Sequence, residues 1–315
     1  MPEKQPAIVD VAIVGAGPAG ITAALYAVRK ALSVRVFEAE AVGGQVAEAI
    51  WVENYPGVPK ISGAELIRRM AEQLRSFGVE IGEAAEVTNI KKTGAGNFFE
   101  LEINSGEEKV SAKAVIICTG SRHVPLGIPG EKKFFGKGVF YCATCDGPLF
   151  KDKSVAVIGG GNCGVNAALF FSGICKKTYL IELMPKPNFD AVYSVPLRKS
   201  KVEFLLNTQL TEIIGKDSVE KIKVKGRSSG EQRTIDLDGV FIYIGLQPKN
   251  ELAKKAGLKI DAKGYVAVDR GKMASEPGIF AAGDVCGDLA QLAVSVGAGA
   301  VAATSAFEYL KKARG

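Results

Sequence analysis

The stretch Cys142-Ala143-Thr144-Cys145-Asp146-Gly147 holds the residues whose spacing most directly indicates chemistry. Two thiols two residues apart can form a reversible dithiol–disulfide couple, in which the thiolate is the reacting nucleophile. Asp146 follows directly and places a carboxylate, a candidate proton donor, beside the pair. The spacing therefore predicts a redox-active pair in an α/β protein.

The alternative interpretation of a C-x-x-C pair is half of a structural zinc site. Such a site needs four ligands, and the sequence has neither a second C-x-x-C nor any histidine besides His123. We therefore predict no metal site. His123 falls in a connector with prolines and glycines and is expected to be a solvated linker residue rather than a catalyst. The cysteines outside the pair are expected to be packing residues: Cys118, Cys163, Cys175 and Cys286.

Length and composition are those of an ordinary globular protein. A chain of 315 residues suggests two domains at about 150 residues each, with 47% hydrophobic and 23% charged residues. The net charge of +6 is spread along the chain, which favours either an acidic protein partner or merely a basic surface. No motif indicates nucleic-acid binding.

Three features predict a cytoplasmic protein without a membrane segment. The N-terminus lacks a signal-peptide layout, and no uninterrupted apolar run reaches the roughly 18 residues of a membrane span. Four of the six cysteines lie outside the C-x-x-C pair, which argues for a reducing compartment rather than a disulfide scaffold.

A dinucleotide-binding signature stands near the N-terminus. The apolar run 10–14 leads into Gly15-Ala16-Gly17-Pro18-Ala19-Gly20 and then into a predicted helix. Gly15 allows the tight turn, Gly17 the approach of a pyrophosphate, and Gly20 close packing of helix on strand. The next predicted strand ends at Glu38, where a carboxylate can accept hydrogen bonds from ribose hydroxyls.

The same pattern begins again after residue 153. The apolar run 154–158 leads into Gly159-Gly160-Gly161-Asn162-Cys163-Gly164, and the following strand ends at Glu182. Gly15 to Glu38 and Gly159 to Glu182 are both intervals of 23 residues, which identifies an internal repeat. We therefore predict an α/β fold with two Rossmann-like three-layer nucleotide-binding domains. The first is discontinuous, 1–121 plus 247–315, and the second, 122–246, carries the cysteine pair.

These motifs together give the whole chain a resemblance to the low-molecular-weight thioredoxin reductases. Its most specific part is Cys-Ala-Thr-Cys-Asp-Gly at 142–147, placed after the first connector. The other matching motifs are the glycine motifs at 15–20 and 159–164, Gly43-Gly44-Gln45, Cys118-Thr119-Gly120 and Gly283-Asp284.

The resemblance implies FAD in the first domain, a homodimer, and a thioredoxin- or glutaredoxin-like protein disulfide as substrate. It also implies that the second domain rotates, so that Cys145 faces the flavin in one state and Cys142 attacks the partner's disulfide in the other. Asp146 matches the residue that protonates the leaving thiolate, as general acid catalysis requires.

Most residues that the resemblance assigns to a ligand lie in the first domain. Those assigned to FAD are Gly15, Gly17, Pro18, Ala19, Gly20, Glu38, Gly43, Gly44, Gln45, Asn54, Val87, Thr119, Gly120, Asp284, Gln291, Leu292 and Ala293. The candidate nicotinamide-nucleotide residues of the second domain are Gly159, Gly161, Asn162, Gly164 and Glu182.

One segment departs from the family pattern. NADPH-dependent members carry His-Arg-Arg and a further arginine here, which neutralise the 2′-phosphate, whereas this chain reads Glu182-Leu183-Met184-Pro185-Lys186-Pro187-Asn188. A carboxylate repels a dianionic phosphate, and the next arginine is Arg198. NADPH is therefore not the expected donor. NADH, which an acid at this position favours, and a non-nicotinamide donor such as reduced ferredoxin both stay open.

The residues leave three functions open. The favoured one is a thioredoxin-disulfide reductase that passes electrons through FAD to Cys142 and Cys145. A flavin-dependent dithiol oxidase of the same fold would run electrons from a small dithiol to the flavin and oxygen, and would not need a nicotinamide. A redox sensor on a flavin-bearing scaffold would show no turnover with any thioredoxin.

Overall fold

The computed structural model describes residues 8–49, 51–93 and 98–314, without the side chains of residues 144, 145 and 314. The chain divides into two compact units, Met1–Arg122 with Gln247–Gly315, and His123–Leu246. Each unit is built on a sheet with a parallel core, which confirms the predicted α/β class with two Rossmann-like folds. The sequence also predicts hairpin-like β structure over residues 94–105, of which residues 94–97 lie outside the described residues.

The strands and helices of the described residues are numbered in chain order. The strands are β1 Val9–Val14, β2 Val34–Phe37, β3 Ile81–Gly82, β4 Val87–Lys92, β5 Phe99–Ile103, β6 Glu108–Ile117, β7 Ser121–His123, β8 Val139–Phe140, β9 Ser154–Ile158, β10 Lys177–Ile181, β11 Val202–Leu205, β12 Thr208–Ile214, β13 Lys221–Gly226, β14 Gln232–Asp236, β15 Gly239–Ile242, β16 Leu246–Pro248 and β17 Ile279–Ala281. The α-helices are α1 Pro18–Val28, α2 Gly63–Arg75, α3 Ala143–Asp146, α4 Asn162–Ile174, α5 Ser194–Lys199, α6 Glu251–Lys255 and α7 Leu292–Arg314.

The first unit is organised around the central strand β1. The sheet runs β3-β2-β1-β6-β5-β4, and β17 also pairs with β6. Strands β2, β1, β6 and β17 are parallel, while β4 and β5 continue the sheet as an antiparallel hairpin. Every residue of β1 is buried, as its continuous apolar sequence predicts for a parallel strand covered on both faces. The carboxyl ends of β1, β2, β6 and β17 therefore meet at one edge.

Helices α1 and α7 cover one face of this sheet through small side chains. Four alanines of each helix lie in one core cluster with Ile13 and Ile116 of the sheet: Ala19, Ala23, Ala24 and Ala27 of α1, and Ala298, Ala302, Ala303 and Ala306 of α7. A Cβ atom at Gly299 of α7 would lie 2.2 Å from the carbonyl oxygen of Ala19, so only glycine permits this approach. The close contact holds the N-terminal end of α1 against α7.

Helix α7 is long and apolar enough, by length and composition alone, to cross a membrane. Its stretch Leu292–Ala313 reaches a mean hydropathy of 1.2, although no uninterrupted apolar run was found in the sequence. Core helices meet the same criteria, and Ala302, Ala303 and Ala306 are fully buried in the cluster shared with α1. Packing inside the first unit accounts for the small apolar residues on this face.

The second unit has a fully parallel sheet, β11-β10-β9-β15-β8. The antiparallel sheet β12-β13-β14 covers one face through Leu210, Ile213 and Ile222. The opposite side holds an aromatic cluster in which the rings of Phe171 and Phe241 have centroids 4.3 Å apart. Strands β7 and β16, from the two connectors, pair with each other.

Candidate redox and nucleotide-binding sites

The first glycine-rich loop fits between β1 and α1 only because two of its positions lack side chains. Gly15 has a φ of +103°, and a Cβ there would lie 2.3 Å from the carbonyl oxygen of Cys118. A Cβ at Gly20 would lie 1.9 Å from the carbonyl oxygen of Gly15. These contacts explain the first and third glycines of the motif by close backbone packing.

Glu38 stabilises this loop from the end of β2. Its carboxylate accepts the backbone N–H of Ala16 at 2.6 Å and that of Glu40 at 3.0 Å. Above Gly17 the space is open, because the nearest atom to a Cβ built there is the carbonyl oxygen of Gly43 at 4.0 Å. The loop thus presents backbone at the N-terminal end of α1 without a covering side chain.

A polar network lies at the same edge of the sheet and involves Gln45, Ser121 and Asp284. The Ser121 hydroxyl donates to the Asp284 carboxylate at 2.8 Å, and the Gln45 amide donates to the Ser121 hydroxyl at 2.7 Å. Gly283 packs on α1, where a Cβ would lie 3.0 Å from that of Ala19. Asp284 is therefore positioned beside the first glycine-rich loop by the end of β17.

The remaining residues assigned to FAD are distributed around this edge. A cavity of about 470 Å³ is lined by residues 53–59, and the Asn54 amide donates to the Gln291 side chain at 3.0 Å. The Thr119 hydroxyl donates to the carbonyl of Lys249 at 2.7 Å. The side chain of Val87 is buried in the core cluster of Phe37, so only its backbone is available to a ligand.

Two other assigned positions differ in exposure. Leu292 is buried in a small apolar cluster with Val52 and Leu66, whereas Ala293 is exposed at the start of α7.

An open glycine loop, the Glu38 carboxylate and the Asp284 network fit a bound dinucleotide such as FAD.

The second glycine-rich loop repeats the architecture of the first. A Cβ at Gly159 would lie 2.1 Å from the carbonyl oxygen of Tyr243, and one at Gly164 would lie 1.9 Å from that of Gly159. The Glu182 carboxylate accepts the backbone N–H of Gly160 at 2.5 Å and that of Met184 at 2.8 Å. Glu182 thus holds its loop in the same way as Glu38 holds the first.

The loop after β10 is linked to the start of α4. The backbone N–H of Asp190 donates to the Asn162 side chain at 2.8 Å, and the Asn162 amide donates to the Asp190 carboxylate at 2.9 Å. Asp190 was not singled out from the sequence, since no motif marks it.

Cys142 immediately precedes the short helix α3. It is buried and disulfide-bonded, and its carbonyl oxygen accepts the backbone N–H of Asp146 at 3.3 Å. The phenolic oxygen of Tyr243 accepts the backbone N–H of Ala143 at 2.8 Å. The prediction for the thiol of Cys145 lies outside the described side chains.

An aromatic and acidic cluster surrounds this helix start. The His123 ring stacks on Tyr141 with centroids 5.6 Å apart and meets the edge of Tyr243 at 6.2 Å. The Tyr141 hydroxyl donates to Glu131 at 2.6 Å. Burial and then this carboxylate raise the pKa of Tyr141 well above its usual range. His123 lies in the connector, as expected, and is partly exposed, but its ring also packs on two tyrosines.

The cysteines outside the pair are free thiols: Cys118, Cys163, Cys175 and Cys286. Burial raises the pKa of Cys175 to about 11 and that of Cys286 to about 12, so both stay protonated at neutral pH. Burial also raises the pKa of Cys118 far above its usual value. Among the described residues, no group of three or more histidine, cysteine, aspartate or glutamate side chains could hold a metal ion.

The chain is similar to proteins of known name over nearly its whole length. It is 39% identical to the F component of alkyl hydroperoxide reductase from Staphylococcus aureus over 303 residues, and 39% identical to an NADH dehydrogenase of Bacillus subtilis over 315. These matches cover 96% and 98% of the chain, but only 59% of each relative. The chain thus spans about three-fifths of the length of these curated relatives.

Solved structures share the fold at full length. Thioredoxin reductase of T. acidophilum is 44% identical with a TM-score of 0.92, covering 97% of this chain and 99% of its own. A ferredoxin–flavin thioredoxin reductase of Clostridium acetobutylicum is 31% identical with a TM-score of 0.53, covering 97% and 99%.

These neighbours confirm the predicted resemblance to the low-molecular-weight thioredoxin reductases. The model of the pyridine nucleotide-disulphide oxidoreductase family matches residues 9–305. This family implies a flavin and a nicotinamide cofactor. The chain belongs to the pyridine nucleotide-disulphide oxidoreductase family.

Proposed function

We propose that this oxidoreductase is a flavin-dependent thioredoxin-disulfide reductase. The observation that carries the proposal is the position of Cys142 at the start of α3, in a disulfide and with Asp146 at the other end of that helix. The residues that would hold FAD are those of the first glycine-rich loop with Glu38 and Asp284. When bound there, FAD supplies a two-electron carrier able to reduce a disulfide.

The exchange with the partner uses the chain's own residues. In the reduced pair, the Cys142 thiolate attacks one sulfur of the partner's disulfide, whose S–S bond breaks as the mixed disulfide forms. Asp146 donates a proton to the departing thiolate. The Cys145 thiolate then attacks the Cys142 sulfur and releases the partner's second thiolate, which takes up a proton. The partner leaves as a dithiol, and the disulfide between Cys142 and Cys145 is restored.

The partner is a thioredoxin-type protein, by similarity to the thioredoxin reductase structures. The homodimer and the cytoplasmic location remain predictions from the family resemblance and from the sequence.

The electron donor is not expected to be NADPH. The segment after β10 begins Glu182-Leu183-Met184 and offers no arginine for a 2′-phosphate before Arg198. NADH remains a candidate, by similarity to the relative named NADH dehydrogenase. A reduced ferredoxin is the second candidate donor, by similarity to the ferredoxin–flavin thioredoxin reductase.

The test starts from the flavin-loaded protein, reduced anaerobically with dithionite and freed of excess reductant. An oxidised thioredoxin is added, and flavin absorbance and free partner thiols are followed. The proposal predicts rapid partner reduction that is lost in Cys142→Ser and in Cys145→Ser. Cys175→Ser is the matched control, since its partly buried thiol lies outside the pair and is expected to leave the rate unchanged.

The same preparation separates the alternative, a flavin-dependent dithiol oxidase. That enzyme would convert a small dithiol and oxygen into a disulfide and hydrogen peroxide, and thioredoxin would not compete with the small dithiol. Full activity in either cysteine variant, or peroxide production without any reduction of thioredoxin, would overturn the proposed function.

A further inference from the structure

The carboxylate of Glu131 is a buried group that the exchange chemistry above does not use. Glu131 is only 4% exposed, and a carboxylate is costly to bury unless hydrogen bonds compensate it. It accepts three of them, from the backbone N–H groups of Leu126 and Gly127 at 2.8 and 2.6 Å and from the hydroxyl of Tyr141 at 2.6 Å. Two of these bonds stay within the connector, whereas the third reaches the residue directly before Cys142.

The segment that leads into Glu131 is packed directly on β12. The carbonyl oxygen of Pro129 accepts the backbone N–H of Ile213 at 3.0 Å. Gly130 has a φ of +90°, and a Cβ there would lie 2.0 Å from the carbonyl oxygen of Ile213, so only glycine fits between this segment and the strand. The antiparallel sheet of the second unit therefore determines where Glu131 begins.

Tyr141 is held by its ring as well as by its hydroxyl. The ring of His123 stacks on it with centroids 5.6 Å apart, and the ring of Phe135 lies 6.0 Å away at an angle of 46°. Because burial and then the carboxylate of Glu131 raise the pKa of Tyr141, its hydroxyl remains a donor at neutral pH. These contacts restrict the side chain to one position, and its backbone is bonded directly to Cys142.

The residue on the other side of Cys142 is held separately. The backbone N–H of Ala143 donates to the phenolic oxygen of Tyr243, which directly follows β15. Both neighbours of Cys142 are therefore fixed, the preceding one by Glu131 and the following one by Tyr243. The two supports come from different strands of the second unit.

We propose that Glu131 is a positioning residue for the cysteine pair and acts on Cys142 through the hydroxyl of Tyr141. Cys142 is disulfide-bonded in this structure, so the contact holds its backbone where the disulfide closes. Loss of the contact frees this backbone and lowers the effective concentration of one thiol at the other, which disfavours the disulfide relative to the dithiol. This role deepens the proposed function and rests on it.

The experiment uses the flavin-loaded, full-length protein and two measurements that involve no thioredoxin. The midpoint potential of the pair is measured by anaerobic equilibration with known ratios of reduced and oxidised dithiothreitol, followed by alkylation of the free thiols. Stability is measured by thermal unfolding. The variants are Tyr141→Phe, Glu131→Gln and the double variant. Tyr26→Phe is the matched control, because it removes an exposed hydroxyl from α1.

Tyr141→Phe is expected to lower the equilibrium constant for disulfide formation about three- to tenfold, as loss of one hydrogen bond predicts. The midpoint potential then rises by about 15–30 mV. Glu131→Gln should raise it by no more than this, and should also lower the thermal midpoint because its two bonds within the connector are weakened.

The double variant distinguishes a positioning role from a structural one. It should have the midpoint potential of Tyr141→Phe alone, since both residues act on the pair through one bond. Its thermal midpoint should still show the effect of Glu131→Gln, because the bonds to Leu126 and Gly127 do not depend on the tyrosine. The control should match the wild type in both measurements.

Two results would overturn the inference. One is an unchanged midpoint potential in Tyr141→Phe, whatever its thermal midpoint, because a purely structural contact gives that pattern. The other is a double variant whose potential shift equals the sum of the single shifts, because Glu131 would then not act through Tyr141. Failure of the proposed function is seen elsewhere, in wild-type protein that does not reduce a thioredoxin.

Discussion

The phenolic oxygen of Tyr243 accepts the backbone N–H of Ala143 at 2.8 Å, which ties the residue after Cys142 to the end of β15. The first N–H groups of a helix have no partner within the helix, so an external acceptor fixes the direction in which α3 starts. Because β15 is buried in the parallel sheet, the position of the Cys142 backbone is set by a rigid element.

Tyr243→Phe is therefore expected to slow exchange with a thioredoxin disulfide about three- to tenfold, as loss of one hydrogen bond of about 1 kcal/mol predicts. FAD content should not change. The second-order rate is measured by stopped flow across a pH series, together with the midpoint potential of the cysteine pair. If Tyr243 positions the pair, the variant should show an altered midpoint potential or an altered pH profile of the rate. Tyr26→Phe is the control, because it removes an exposed hydroxyl from α1 and should change neither quantity.

A second prediction concerns the buried carboxylate of Glu131. It accepts the backbone N–H groups of Leu126 and Gly127 at 2.8 and 2.6 Å, in addition to the Tyr141 hydroxyl at 2.6 Å. Glu131→Gln turns an amide group toward these donors and is expected to destabilise the protein by about 1–3 kcal/mol. Thermal unfolding would show a lowered midpoint, whereas Glu220→Gln, at an exposed position, should leave it nearly unchanged.

Asp10 gives a pH-dependent prediction for the first unit. Burial alone would raise the pKa of Asp10, but hydrogen bonds from Lys113 and Ser33 outweigh it and lower the pKa to about 2. Because this pKa is lower in the folded state than its unfolded value near 4, the ionised carboxylate stabilises the folded protein by about 2 kcal/mol at pH values above 4. That stabilisation is lost as the pH falls from about 4 to about 2.

The measurement compares thermal midpoints of the wild type and Asp10→Asn between pH 7 and pH 3. The variant should unfold at lower temperature at pH 7, and the difference should shrink as the pH falls below 4. A difference that stays constant over this range would exclude the charge of Asp10 as its cause.

Much of this fold follows from local sequence patterns. The strand at 154–158 and the strand that ends at Ile181 were predicted within one residue, because continuous apolar runs bounded by glycine are typical of buried parallel strands. The short helices α5 and α6 were not predicted, since five or six residues carry too few turns for a helical period to be visible.

The surroundings of the cysteine pair could not be predicted for a different reason. Glu131, Tyr141 and Tyr243 come from three separate segments, and their contacts depend on how the connector folds onto β15. The contact of Asp190 could not be predicted either, because its carboxylate accepts a hydrogen bond from Asn162, which lies 28 residues earlier. Glu182 was interpreted as repelling a phosphate, but its hydrogen bonds show that it also stabilises the loop, as Glu38 does in the first unit.

Asp284 is expected to determine how tightly the flavin is held. It lies beside the first glycine-rich loop and is held by the Ser121 hydroxyl at 2.8 Å. Asp284→Ala should weaken FAD binding at least about tenfold, or about 1.4 kcal/mol, as measured by flavin release on dilution. Asp217→Ala serves as the control at an exposed loop position, and equal FAD affinity in the two variants would contradict the assignment.

Asp146 gives the most direct test of the proposed exchange chemistry. It ends the four-residue helix that follows Cys142, so its carboxyl group lies within the same turn of chain as the cysteine pair. If it protonates the leaving thiolate, Asp146→Asn should slow exchange by about a hundredfold or more, the usual contribution of general acid catalysis. FAD content and the fold should be retained, because no residue of the flavin-binding unit is altered.

The rate is measured by mixing chemically reduced protein with oxidised thioredoxin, and Asp152→Asn, at an exposed position, is the control. An unchanged rate in Asp146→Asn would remove this residue from the mechanism, and the proton would then have to come from solvent.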